Sequence, residues 1–87
     1  MIRILVSRHC PDCPPMMELL ETAKFEYDLI DITDSMKNLK YYLKLRDECE
    51  FFKKKKEEGL VGIPSAEIDG EVFDFTEELF FKLQKRS

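Results

Sequence analysis

The sequence lacks a hydrophobic run long enough to cross a membrane, since a transmembrane helix needs about 20 mostly apolar residues in succession. Its apolar start, residues 2–6, contains Arg3 and lacks the small-residue cleavage pattern of a signal peptide. An excess of positive charge is also lacking: 14 Lys and Arg against 18 Asp and Glu give a net charge of −4, whereas phosphate binding favours a basic face. We therefore expect a cytoplasmic protein whose partners include neither a membrane nor a nucleic acid.

Cysteine and histidine are scarce as well, with three and one in 87 residues. Three cysteines do not form the disulfide framework of a small secreted protein. Cys10 and Cys13 have C-x-x-C spacing, which in a reducing compartment indicates either redox catalysis or metal ligation. A structural zinc site needs four ligands, and His9 is poorly placed to share a tetrahedral metal with the adjacent Cys10. We expect no metal, and we interpret Cys49 as a structural thiol on the apolar stripe of a helix.

Repeats, linkers and low-complexity stretches are also missing, so residues 1–87 are expected to form a single domain. The apolar pattern predicts strands over residues 2–6, 25–32, 65–68 and 71–75. It predicts a first helix from the C-x-x-C segment to about residue 24. A long second helix is expected to be capped by Ser35 or a neighbour and to end at Gly59, and a final helix to be capped by Thr76. Asp69-Gly70 predicts a hairpin turn, because both positions favour positive φ. The expected fold is α/β, in the order β-α-β-α-β-β-α, with a four-stranded mixed sheet and helices on both faces.

The spacing of Cys10 and Cys13 suits dithiol chemistry. A dithiol catalyst needs one exposed thiolate to attack a disulfide and a second thiol to resolve the mixed disulfide. A helix N-terminus favours the anion, so Cys10 is the expected nucleophile and the more buried Cys13 the resolving thiol. Asp12 should oppose a thiolate and raise the pKa of Cys10. His9 is either a cation that lowers this pKa or an exposed bystander.

Two segments carry a resemblance to a known family. Cys10-Pro11-Asp12-Cys13, after one strand and before one helix, resembles the Cys-Pro-Tyr-Cys centre of dithiol glutaredoxins. Gly62-Ile63-Pro64 resembles their Thr-Val-Pro segment, whose proline is cis, although a strand-start proline is an alternative. The resemblance covers essentially the whole chain. It implies a three-layer, thioredoxin-like fold of the glutaredoxin type and a cis Pro64, with Ile63 offering its backbone to substrate.

The chain departs from this family where the last strand ends. Glutaredoxins usually have two glycines there, and with the following helix start these dock a carboxylate of glutathione. This chain has Asp74-Phe75, then Thr76 and Glu77, so the helix start and the acidic residue are retained. By the family pattern we expect Asp74 and Glu77 to lie near the cysteines, where Asp74 would place a negative charge close to a carboxylate ligand.

The basic positions of the family also differ. Glutaredoxins often have a basic residue three positions before the first cysteine, where this chain has Ser7, followed by Arg8. Lys56 lies near the second basic contact of the family. Docking of glutathione is therefore a separate question from dithiol exchange itself.

The resemblance implies a thiol-disulfide oxidoreductase that reduces protein disulfides or glutathione mixed disulfides with no bound cofactor. Beside the catalytic Cys10 and Cys13, it implies a substrate or glutathione site with seven members: Arg8, Pro11, Asp12, Ile63, Pro64, Thr76 and Glu77. We expect a monomer, with glutathione as co-substrate and electron donor. One alternative is a redoxin recharged by a flavin disulfide reductase such as thioredoxin reductase. Another is a thioredoxin-fold binding or metal-carrying module without turnover.

Overall fold

The computed structural model of the chain describes residues 1–11 and 13–86. The strands are β1 (Ile2–Val6), β2 (Asp28–Asp31), β3 (Ser65–Ile68) and β4 (Glu71–Asp74). The helices in the described residues are α1 (Cys13–Leu20), α2 (Met36–Glu48), α3 (Glu50–Glu57) and α4 (Glu77–Arg86). None of these helices is both long enough and apolar enough to span a membrane.

The strands form one mixed sheet of four strands in the order β2-β1-β3-β4, which confirms the predicted α/β class. β1 and β2 are parallel, whereas β3 runs antiparallel to both β1 and β4. Asp69 and Gly70 both have positive φ, as predicted for the turn between β3 and β4. The carboxyl ends of β1, β2 and β4 therefore meet the amino end of β3 at one end of the sheet, here called the cysteine end.

Helices cover both faces of the sheet, as predicted. Successive side chains of the central strand β1 point to opposite faces, and Ile4, Leu5 and Val6 are all fully buried. Ile4 and Val6 lie in one cluster with residues of α1 and α4, namely Cys13, Leu20 and Phe80. Leu5 lies in a second cluster with residues of α2 and α3, namely Tyr42, Leu45 and Phe52.

The prediction of one long second helix is wrong, so the observed order is β-α-β-α-α-β-β-α. Cys49 has extended backbone angles, φ −96° and ψ 134°, and separates α2 from α3. Its amide still donates to the Leu45 carbonyl at 2.9 Å. The apolar stripe continues across this break, because Phe52 of α3 packs in the same cluster as Leu45 of α2. Because the spacing of apolar residues is the same on both sides of Cys49, the sequence pattern could not reveal the break.

The predicted N-cap of the second helix is confirmed at Ser35, whose side chain accepts the Asn38 amide at 3.1 Å.

Two predicted boundaries are also wrong. α1 ends at Leu20 rather than near residue 24, because the amides of residues 21–23 bond to carbonyls three positions back, as in a tighter 3₁₀ turn. β2 covers only Asp28–Asp31 rather than residues 25–32. Phe25 and Tyr27 precede the strand but still pack on the cluster beneath α1 and α4. The buried face of α1 agrees with the sequence pattern, whereas Leu29, predicted to share a face with Phe25 and Tyr27, is 45% exposed.

Candidate active site

Cys10 and Cys13 lie at the cysteine end of the sheet, Cys10 between β1 and α1 and Cys13 as the first residue of α1. The Cys10 amide donates to the Ser7 carbonyl at 3.0 Å, and the Cys13 amide donates to the Cys10 carbonyl at 3.2 Å. Both residues are thiols; Cys13 is fully buried and Cys10 is partly exposed, which confirms the predicted difference in burial. α1 begins at Cys13, so Cys10 precedes the helix rather than belonging to its first turn.

Ser7 holds the segment that leads to Cys10. It is only 4% exposed, and its amide donates to the Cys13 sulfur at 3.4 Å. Its hydroxyl oxygen accepts the His9 amide at 3.1 Å and lies 3.1 Å from the Thr33 hydroxyl oxygen. The resemblance to glutaredoxins marks Ser7 only as a position that lacks the basic residue of the family, and so it misses the role of Ser7 in the site. A small polar residue directly after a buried strand could have indicated that role, because a buried polar group requires hydrogen-bond partners.

The segment before β3 lies at the same end of the sheet. The Ile63–Pro64 peptide bond is cis, as the resemblance predicts. Ile63 packs on the core cluster that contains Cys13, and Cys10 packs on that cluster too. The Phe75 amide donates to the Pro64 carbonyl at 3.2 Å, which ties this segment to the residue directly after β4.

Gly62 and Val61 fix the approach to Ile63. Gly62 has φ +85°, and a β-carbon there would lie 2.9 Å from the Phe52 ring, so the position requires glycine. The Tyr42 hydroxyl donates to the Val61 carbonyl at 2.6 Å. The backbone beside Ile63 is therefore held by α2 and α3, while Leu60 and Val61 remain 47% and 49% exposed.

Three of the predicted substrate residues lie between β1 and α1. Arg8 is exposed, and its guanidinium pairs with Asp34 at 3.3 Å in the turn after β2. Its amide donates to Asp31 at 3.3 Å. Pro11 is exposed, whereas Asp12, and with it the predicted effect on the Cys10 pKa, lies outside the described residues. The charge of Arg8 is therefore already shared with a carboxylate of this chain.

The start of α4 agrees with the sequence prediction. The Thr76 hydroxyl accepts the Leu79 amide at 3.2 Å and so caps the helix. Thr76 and Glu77 are both exposed and follow the carboxyl end of β4. Phe75, in contrast, is 3% exposed and belongs to the core cluster that contains Cys13. The place where glutaredoxins have a second glycine is here occupied by a core side chain.

Lys55, rather than Lys56, is the cation beside the end of β4. Its ammonium pairs with Asp74 at 3.2 Å, and its side chain is only 22% exposed. The same ammonium lies 5.3 Å from the centre of the Phe51 ring. Lys56 instead pairs with Asp47 at 3.0 Å on the surface. Sequence spacing alone did not distinguish the two lysines, because both belong to one basic run.

Cys49 lies apart from this end of the sheet, at the junction of α2 and α3. It packs partly buried against the cluster under those helices, as a structural thiol is expected to do. Burial raises the pKa of its thiol, and the carboxylates of Glu67 and Glu48 add to this rise.

In residues 1–11 and 13–86, no group of three or more His, Cys, Asp or Glu side chains is arranged to hold a metal ion.

Comparisons with known proteins give one informative match. No model of a protein family and no solved structure matches the chain. An uncharacterized protein of Haemophilus influenzae is 38% identical over 62 residues, which is 71% of this chain and 72% of the relative. The chain belongs to the same family as this Haemophilus protein.

Proposed function

We propose that this protein is a glutaredoxin-like thiol-disulfide oxidoreductase with a thioredoxin-like fold. The main support is that one end of the sheet brings together a partly exposed thiol, a fully buried thiol at a helix start, and the Ile63–Pro64 segment. The strand order β2-β1-β3-β4, with helices on both faces, supports the fold proposal. Together they favour an enzyme whose two cysteines act in sequence.

The two thiols differ in what can reach them. Cys10 is accessible to a disulfide on another molecule, whereas Cys13 is fully buried and is accessible only from within the protein. The positive end of the α1 dipole lies at this pair and favours negative charge on sulfur, although Pro14 and Pro15 in the first turn carry no amide N–H to donate to a thiolate. Cys49 is a poor competitor, because its raised pKa reduces the thiolate fraction.

Exchange then proceeds in two steps. The Cys10 thiolate attacks one sulfur of the substrate disulfide, the substrate S–S bond breaks, and the first substrate thiolate leaves and takes a proton from water. Cys13 loses its proton and attacks the Cys10 sulfur, which forms the Cys10–Cys13 disulfide and releases the second substrate thiolate. Two electrons pass to the substrate. Two thiols of a donor return them to the protein by the reverse exchange.

The surface beside Ile63 favours protein disulfides as substrates. Leu60 and Val61 are about half exposed and immediately precede the Gly62-Ile63-Pro64 segment. Exposed apolar side chains beside a substrate-binding segment suit an extended peptide better than a small hydrophilic disulfide. The Ile63 backbone is proposed to pair with that peptide in the manner of an added strand.

The Lys55–Asp74 pair favours a second candidate for the electron donor. Lys55 is the cation beside the end of β4, and a carboxylate of the chain itself already neutralises it. A glutathione carboxylate would have to displace Asp74 or bind near its charge. This ion pair favours a flavin disulfide reductase, rather than glutathione, as the donor that reduces the Cys10–Cys13 disulfide. The proposed substrates are protein disulfides with either donor.

Turnover assays with each donor test the proposal. Reduction of insulin and of hydroxyethyl disulfide is measured with glutathione and glutathione reductase, and separately with thioredoxin reductase and NADPH. We expect turnover with at least one donor, its loss in Cys10→Ser, and its retention in the control Cys49→Ala. Absence of turnover with both donors would contradict the proposal and favour a binding module without catalysis.

A further inference from the structure

The ends of β1 and β2 bring two hydroxyl side chains together. Val6 and Asp31 are partners in the parallel pairing of these strands, and the Ile32 amide donates to the Val6 carbonyl at 2.9 Å. Just beyond these paired positions Ser7 lies beside Thr33, with 3.1 Å between their hydroxyl oxygens. The contact therefore joins the segment that carries Cys10 to the end of the neighbouring strand.

Asp31 fixes the direction of this contact. One oxygen of Asp31 accepts the Thr33 hydroxyl at 2.6 Å and the Thr33 amide at 2.9 Å, while the other accepts the Arg8 amide at 3.3 Å. Burial alone would raise the pKa of Asp31, but these hydrogen bonds outweigh burial and lower it. An ionised carboxylate only accepts, so the single hydroxyl proton of Thr33 is used on Asp31. Thr33 must then accept the hydroxyl proton of Ser7.

The backbone of Ser7 contacts both cysteine residues. Its amide donates to the Cys13 sulfur at 3.4 Å, and its carbonyl accepts the Cys10 amide at 3.0 Å. Its hydroxyl oxygen also accepts the His9 amide at 3.1 Å. Ser7 is 4% exposed, so these bonds are largely shielded from competition with water.

We propose that Asp31 and Thr33 are positioning residues that hold the Ser7 amide on the Cys13 sulfur and thereby set the rate and equilibrium of the resolving step. This inference rests on the proposed thiol-disulfide exchange. A hydrogen bond to sulfur stabilises the thiolate more than the thiol. It therefore increases the population of the form of Cys13 that attacks the Cys10 sulfur of a mixed disulfide.

The same bond acts in the reverse direction. When a donor thiolate attacks Cys10 in the Cys10–Cys13 disulfide, a bond forms from the donor to Cys10 and Cys13 leaves as a thiolate. A stabilised leaving thiolate departs faster. Loosening the Ser7 amide is therefore expected to slow both directions and to favour the disulfide over the dithiol at equilibrium.

The experiment compares three threonine variants of the full chain. Thr33→Val removes the hydroxyl at nearly constant volume, and Thr33→Ser restores a hydroxyl. Thr22→Val is the matched control: Thr22 is also exposed and donates to the Leu19 carbonyl at 2.8 Å just after α1, outside this set of bonds. The measurements are the equilibrium between dithiol and Cys10–Cys13 disulfide in a dithiothreitol buffer, and the rate at which a glutathione adduct on Cys10 is resolved.

We expect Thr33→Val to shift the equilibrium about threefold toward the disulfide and to slow resolution about threefold, as suits the weakening of one hydrogen bond. A threefold shift corresponds to about 14 mV for this two-electron couple. Thr33→Ser and Thr22→Val are expected to behave as the unmodified protein does. Ser7→Ala, which removes the same link from the other side, is expected to reproduce the Thr33→Val shift.

Two results would overturn the inference in distinguishable ways. If Thr33→Val and Ser7→Ala lower only the thermal stability and leave the equilibrium and the resolution rate unchanged, the bonds are merely structural. If the unmodified protein forms no Cys10–Cys13 disulfide in the redox buffer, the proposed function fails and this inference fails with it.

Discussion

Asp74→Asn removes the carboxylate that pairs with Lys55 while it keeps the size of the side chain. The two charged atoms are 3.2 Å apart, with the Lys55 side chain 22% exposed and the Asp74 side chain 57% exposed. A pair this open to water contributes about 0.2–1 kcal/mol. Freeing Lys55 is therefore expected to raise kcat/KM for an anionic disulfide about 1.4- to 5-fold, because each 1.4 kcal/mol is a factor of about ten. A cationic disulfide should change in the opposite direction.

The assay compares two small disulfides of opposite charge, 3,3′-dithiodipropionate and cystamine, under identical donor conditions. Asp69→Asn is the matched control, because it removes the same charge at the other end of the sheet, where Asp69 pairs with the N-terminal ammonium at 2.9 Å. We expect the ratio of the two kcat/KM values to change in Asp74→Asn alone, and salt to reduce that change. Equal changes for both disulfides, or in both variants, would refute the reasoning. Phe75 is left intact, since it is a core residue.

Three further predictions concern stability, each measured by urea unfolding. Phe75→Ala is expected to cost about 3–5 kcal/mol, because the side chain is buried in the core cluster; a loss below about 1 kcal/mol would show that it is not a core residue. Burial, together with the hydrogen bond to Glu67, raises the pKa of Tyr41 from 10.0 to about 12. A raised pKa contributes stability that is complete below pH 10.0 and is lost as the pH rises through about 12, so Tyr41→Phe should flatten this alkaline loss. A steep loss in the variant would assign the alkaline transition to another group. Ser65→Ala is expected to leave stability unchanged or raise it by about 1 kcal/mol, because no hydrogen-bond partner reaches the buried hydroxyl within the described residues. A marked loss would reveal a partner for that hydroxyl.

Local signals in the sequence were sufficient for several elements. β1 is an apolar run that begins and ends where predicted, and Asp69-Gly70 forms its turn because few residues other than Asp, Asn and Gly accept positive φ. Thr76 caps α4 through its own hydroxyl, which is also a local interaction. The burial of Cys13 relative to Cys10 follows from their spacing at the start of a helix.

Other features depend on contacts between distant segments and could not be read from spacing. Lys55 rather than Lys56 forms the ion pair with Asp74, because α3 is a separate helix that begins after the extended residue Cys49. Ser7 is buried just after the paired end of β1, where it meets Thr33 from the segment after β2. Phe75 is buried because the backbone after β4 turns its side chain into the cluster under α1 and α4. These sites required the sheet topology and the packing on both of its faces.

Cys10 is proposed to be the attacking thiol of a dithiol enzyme. The most direct measurement is the intact and peptide mass of Cys13→Ser after incubation with a disulfide-containing protein such as insulin. We expect a stable mixed disulfide on Cys10, reversed by dithiothreitol, and no adduct when Cys10→Ser is treated in the same way. An adduct on Cys49, or no adduct on any cysteine, would contradict it.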